Sequence, residues 1–336
     1  MYPKSLIAVA IAALSVALPA GAGTTYPLQL ENCGVELNFD HAPDSAVTVG
    51  QAATEILYAL DLGDRVKGTS VWFTKVLPEF ETVNEAVERL ADNDPSFESV
   101  VAKRPGLVAV QYEWHVGPQG IVATRDQFAD LGIPTYILPA DCIGKDNTSG
   151  SDGTRTQLYS MESLYLGIVE LAQIFDVGER GEEVVADLRG REAAAIAKAR
   201  GLGLKDTSAV FWFSSAEMDI DPYVAGQGGA PAYMMKALGL RNVVESNEEW
   251  PTVSWETIAR ANPSVIVVAR MDRRRFEADD VEKKLAFLRS DPVTSQMEAV
   301  KHDRIVILDA HAMDPSIRNI SALEALAAAL PGLSGQ

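Results

Sequence analysis

The chain has 336 residues, 47% of them hydrophobic and 23% charged, enough for about two domains of ordinary soluble composition. Its 29 Lys and Arg are outnumbered by 47 Asp and Glu, a formal net charge of −18. That balance disfavours nucleic acid and anionic lipid as partners, and the even spread of apolar residues disfavours disorder.

Residues 1–22 read as a secretory signal: Lys4, the apolar run Leu6 to Leu18, then an Ala20-Gly21-Ala22 cleavage site. The run is too short to span a bilayer, and no Cys stands at the cleavage point to carry a lipid. A soluble periplasmic protein, monomeric, is expected. In that oxidising compartment Cys33 and Cys142 should form a disulfide.

From Val47 onward, short β-branched runs alternate with amphipathic segments. The order is a strand at Val47 to Val49, a helix Ala53 to Leu60, and a strand Val66 to Val71. A helix from Ser96, a strand Leu107 to Gln111, a helix Thr124 to Leu131 and a strand Thr135 to Leu138 follow. An Ala-rich, Pro-free stretch at 180–200 then carries Val184, Leu188, Ala195 and Ala199 on one face, with Asp187 and Arg191 at i,i+4. As a helix it is a rod of about 30 Å. Beyond it come Ala209 to Phe213, Ala232 to Leu238, Trp255 to Ala261, Val265 to Val268, Val281 to Leu288 and Arg304 to Leu308. Such alternation predicts an α/β protein of two doubly wound lobes, 24–178 and 205–331, joined by the single long helix, with a ligand cleft between them.

The two halves repeat each other. Pro95-Ser96-Phe97-Glu98, leading to Lys103-Arg104-Pro105 and a strand, has its counterpart in Val253-Ser254-Trp255-Glu256, leading to Ala261-Asn262-Pro263 and a strand. Each copy offers a capping Ser, a Glu in the first turn and a stop at Pro. These segments, with Val49-Gly50-Gln51-Ala52-Ala53-Thr54-Glu55-Ile56-Leu57, Trp250-Pro251-Thr252-Val253-Ser254 and the linking helix, resemble the periplasmic substrate-binding proteins of ABC importers for iron–siderophores, haem and cobalamin. The resemblance implies capture of a metal chelate, delivery to a permease, no chemistry on the ligand and no cofactor. It also implies that Glu98 and Glu256, one per lobe, dock on the permease; on position alone each simply complements a helix dipole.

Loops after strands supply the expected ligand contacts. They are Gln51, Trp72 with its neighbour Phe73, Tyr112, Trp114 and His115 in the first lobe. In the second they are Ser214, Tyr223, Trp250, Arg270, Arg273, Arg274 and His311. Aromatic side chains offer flat contact area, and Arg pairs with carboxylate or catecholate oxygens. Trp250 falls where, by the resemblance, the cobalamin branch stacks on its ligand. Two other functions compete with this one. A bare-metal binder on a related two-lobed fold needs three or four clustered ligands, and the chain has only His41, His115, His302 and His311. A secreted α/β enzyme should show a nucleophile, phosphate-loop or metalloprotease motif, and none is present.

Overall fold

The computed structural model describes residues 23–149, 152–204 and 206–332, so the expected signal segment lies outside the described residues. Two five-stranded sheets dominate. The first has the spatial order Arg89–Ala91, Val66–Ser70, Ala46–Val49, Leu107–Val110 and Thr135–Ile137, all parallel. The second runs Tyr223–Val224, Ser208–Ser214, Val265–Arg270 and Ile305–Asp309, with Arg241–Asn242 beside the start of Ser208–Ser214. Only Tyr223–Val224 is antiparallel there. Ala46–Val49, Leu107–Val110 and Val265–Ala269 are buried throughout, as expected of strands covered on both faces.

The repeat is visible in three dimensions. The Ser96 hydroxyl accepts from the Ser99 N–H at 3.2 Å ahead of the helix Phe97–Val101, and Ser254 accepts from Thr257 at 3.3 Å ahead of Trp255–Ala261. Both units stop on a left-handed residue before proline, Arg104 at φ 48° and Asn262 at φ 45°. Glu98 and Glu256 project from these two helices and are exposed.

Between the sheets in sequence lies one 23-residue helix, Gly178–Arg200, about 35 Å long. Leu188, Ala195 and Ala199 are buried as the periodicity predicts, while Val184 is only half-buried. The helix packs on Met161–Ile174 and on the C-terminal helix Arg318–Ala329. Arg191 pairs bidentately with Glu324 at 2.9 Å, rather than chiefly with Asp187 at 3.8 Å. No described helix is long and apolar enough to cross a membrane.

The helix is not the sole tie between the sheets. The small hairpin Lys145–Asp146/Thr154–Arg155 reaches from the end of the first sheet to loop residues 247–249 of the second lobe. There the Arg155 N–H donates to the Asn247 carbonyl, the Glu249 N–H donates to the Gly153 carbonyl (2.9 Å each), and Arg155 pairs with Glu249 at 2.5 Å. The bridging segment starts from the turn Pro139–Asp141, which a Cys33–Cys142 disulfide fastens to the hairpin Leu28–Asn32/Val35–Phe39. The bond closes a separation of 109 residues. The double variant Cys33→Ala/Cys142→Ala should therefore unfold with about 3–5 kcal/mol less stability in denaturant titration; a loss below about 1 kcal/mol would show that the crosslink constrains little.

Candidate functional site

Strand ends of both sheets converge on a cleft of about 460 Å³, the place where open α/β sheets gather ligands and a volume within the usual range for small-molecule sites. Gly50, at φ 129°, permits the sharp exit from Ala46–Val49, since a Cβ there would lie 2.2 Å from that of Gln111. The next strand end, Val66–Ser70, delivers Trp72 and Phe73. Trp72 turns inward, donating to the Thr69 hydroxyl at 3.2 Å, while Phe73 enters the cleft.

Phe73 begins an aromatic wall that crosses between the lobes. It meets Phe213 edge-on with centroids 6.2 Å apart, and Phe213 packs on Trp250 at 4.7 Å. Tyr112, Trp114, Tyr223 and Phe276 complete the aromatic lining. The Arg273 guanidinium lies over the Phe73 ring at 4.2 Å, and the N–H groups of Asp272 and Arg273 both donate to the Phe73 carbonyl, at 2.9 and 3.0 Å. Burial pulls the pKa of Arg273 down, and its Nε finds no partner among the described residues.

Trp114, 38% exposed, owes its orientation to its neighbour. Its indole N–H donates to His115 Nδ1 at 3.0 Å, which places the imidazole proton on Nε2 to donate to Asp94 at 3.0 Å. That hydrogen bond holds the Asp94 carboxyl below its ordinary pKa. In the second lobe, Ser214 lines the cleft but donates its hydroxyl to Asp279 at 2.6 Å. The other Asp279 oxygen accepts the N–H groups of Arg275 (2.8 Å) and Phe276 (3.0 Å), fixing their loop. Behind them Lys284 donates to the carbonyls of Phe213 and Ala269, and burial lowers its pKa to about 7, against the pull of Asp279.

Of the ligand contacts expected from the sequence, Tyr112, Trp114, Ser214, Tyr223, Trp250 and Arg273 come together in the cleft. The others lie elsewhere for identifiable reasons. Gln51 is fully buried: its carbonyl accepts from the Phe73 N–H at 3.1 Å, and its amide donates to Glu55 and the Lys75 carbonyl. His115 is behind Trp114. His311 is enclosed, stacked 5.5 Å from Phe73, with neither ring nitrogen hydrogen-bonded among the described residues; burial keeps its pKa well below the ordinary value. Arg270 is exposed and apart from the cleft, while Trp72 and Arg274 line a smaller neighbouring groove. His41 and His302 are on the surface. Among the described residues no group of three or more His, Cys, Asp or Glu is disposed to hold a metal ion.

The lining also includes residues the sequence reading passed over: Asp94, Asp141, Lys145, Asp152, Glu249, Phe276 and Asp314. Asp314 shares its strand-end loop with His311, and Phe276 follows the arginine run, so position alone could have found both. The polar stretch 141–153 has no periodicity and gave no signal.

The family model for periplasmic binding proteins matches residues 47–312, which include nearly all of both sheets and most of the cleft lining. The chain belongs to the periplasmic binding protein family. Among its relatives is an uncharacterized ABC transporter substrate-binding lipoprotein, YvrC, of Bacillus subtilis (strain 168), 22% identical over 84% of this chain and 79% of that protein. A periplasmic binding protein from Veillonella parvula DSM 2008 is similar in structure, with a TM-score of 0.75 and 24% identity, covering 93% of this chain and 99% of that one. An ABC-type Fe3+-hydroxamate transport system protein from Saccharomonospora viridis DSM 43017 gives a TM-score of 0.71 at 23% identity, covering 91% and 99%. These structural likenesses establish the fold.

One group on the cleft wall titrates in an accessible range. Tyr112 donates its hydroxyl to Asp314 at 3.1 Å, yet burial first, with Glu249 and Asp152 nearby, pushes the Asp314 carboxyl up to about 7. The unfolded chain releases this proton near pH 4, so between about 4 and 7 the folded protein holds one more proton and loses stability as pH rises. Asp314→Asn should remove that loss, making the variant more stable than the parent by up to about 4 kcal/mol at pH 8 but not at pH 4. Urea unfolding at both pH values checks it, and an equal difference at the two would refute it.

Proposed function

We propose that this protein captures a metal chelate of the iron–siderophore, haem or cobalamin type in the periplasm and delivers it to the permease of an ABC importer. The observation that carries the reading is the aromatic wall Phe73–Phe213–Trp250, which spans both lobes at the strand ends of a periplasmic binding protein. Flat, dispersive surface of this kind suits a large, partly apolar chelate, and the charged groups around it orient rather than react. Lobes 24–178 and 205–331 act as the two jaws, with the helix as a stiff strut between them. The protein works as a monomer, exported by its N-terminal signal and bound to the membrane only through the permease.

Titration with a ferric trihydroxamate, a ferric tricatecholate, haem and cyanocobalamin tests the proposal. At least one should bind one per chain and be recovered unaltered. Trp250→Ala should weaken that binding about thirtyfold, the usual cost of an interfacial aromatic anchor. Absence of binding by all four would refute the chelate reading.

Glu98 and Glu256 are the proposed permease contacts. Each is exposed, outside the cleft lining, and carried by the corresponding capped helix of its lobe. An exposed ion pair contributes only about 0–1 kcal/mol, but two linked ones reinforce each other through effective concentration. Glu98→Ala/Glu256→Ala should abolish uptake by cells while leaving chelate affinity intact; a collapse of chelate affinity would instead put these carboxylates in the binding site.

A further inference from the structure

Beside the cleft is a second concavity of about 430 Å³, and the two share Phe73, Asn93, Arg273 and Arg275. Its other charged residues are Lys75, Arg89, Arg274, Asp92 and Asp272, so five cations face two carboxylates in a chain whose overall balance is the reverse. Both carboxylates are engaged. Asp92 pairs with Arg89 at 3.1 Å, and Asp272 accepts from the Lys75 N–H at 3.0 Å. Among the described residues, Lys75, Arg273 and Arg275 have no carboxylate at ion-pair distance, and the nearest to Arg274 is Asp280 at 3.9 Å. Arg273 is the most telling of these: its Nε is buried, donates to nothing, and belongs to a side chain that borders both concavities. A buried N–H donor without an acceptor is a defect unless a ligand supplies one.

The main cleft mixes both signs, Lys145, Arg273 and Arg275 lining it together with Asp94, Asp141, Asp152, Glu249 and Asp314. Asp152 and Asp314 line it with no cationic side chain paired to either among the described residues. Negative charge on a peripheral arm of a bound ligand is attracted to the groove, where cations outnumber carboxylates. Building on the chelate reading above, we infer that the groove holds a carboxylate arm of the ligand. The planar guanidinium of Arg273 suits a carboxylate in particular, because it can donate two parallel N–H bonds to it.

Two matched pairs, each differing only in the arm, test this: ferric N-succinyl- against N-acetyl-ferrioxamine B, and haem against its dimethyl ester. In at least one pair the free carboxylate should bind about tenfold more tightly. The preference should shrink with added salt and fall towards one in Lys75→Gln/Arg274→Gln. Equal binding within the pairs, or a preference untouched by the double substitution, overturns the arm site and leaves chelate capture standing. So does binding of a tricatecholate or cobalamin when neither pair binds. Failure of every chelate refutes the chelate reading itself. Citrate is the control for a free anion: if it reproduces the groove-dependent binding by itself at comparable concentration, the groove takes a separate anion and the arm assignment falls.

Discussion

A buried ion cluster behind the cleft sets the position of much of the site. Glu55, on the first helix of the first sheet, receives Arg318 from the C-terminal helix through two bonds of 2.5 and 2.8 Å, and Arg318 also reaches Asp309 at 2.9 Å. Burial raises the pKa of Glu55 and the guanidinium is foremost among the groups that oppose this, so neither partner is tolerable there without the other. The cluster does more than join distant parts of the chain. Arg318 and Gln51 both donate to the Lys75 carbonyl, and Glu55 accepts from the Leu77 N–H. The loop carrying Phe73 is thereby held from behind by polar groups of both lobes, and the aromatic wall inherits its geometry from them.

The second lobe fixes its half of the wall by a similar device with different chemistry. Asp279 gathers the Ser214 hydroxyl and two backbone N–H groups, while Lys284 caps two strand-end carbonyls below. In both lobes the charged residues nearest the ligand surface act mainly on loops. The cleft thus presents aromatic faces outward and keeps its strongest hydrogen bonds inside the wall, where the low dielectric makes them rigid.

This division explains which parts of the site were legible in the sequence. Strand and helix order followed from periodicity, and the duplicated capping Ser and pre-proline stop marked the two lobes, because those features are local. Aromatics after strands were also a sound guide: Tyr112, Trp114, Tyr223 and Trp250 all face the cleft. Position after a strand could not tell a wall residue from its support, however. Gln51, His115 and His311 lie within a few residues of lining positions, but hydrogen bonds hold the first two inward and stacking on Phe73 encloses the third. The bridge at 145–155 was invisible for another reason. Its two-residue strands are stabilised by partners about a hundred residues away, which no local pattern records.

Those remote partners bear on the time course of ligand exchange. One seam between the lobes is the paired donation of Asp272 and Arg273 to the Phe73 carbonyl; the other joins Gly153 and Arg155 to Asn247 and Glu249. The first is made of main-chain atoms and the second adds the Arg155–Glu249 ion pair to its main-chain bonds, so side-chain variation leaves most of the bonding groups in place. Parting the jaws at either edge requires several of these bonds to break together, a cooperative event with a barrier rather than a smooth swing. A ligand held behind such seams would escape slowly even where the contacts to it are modest. A partner that grips both lobes and pulls them apart would speed its release without touching the ligand.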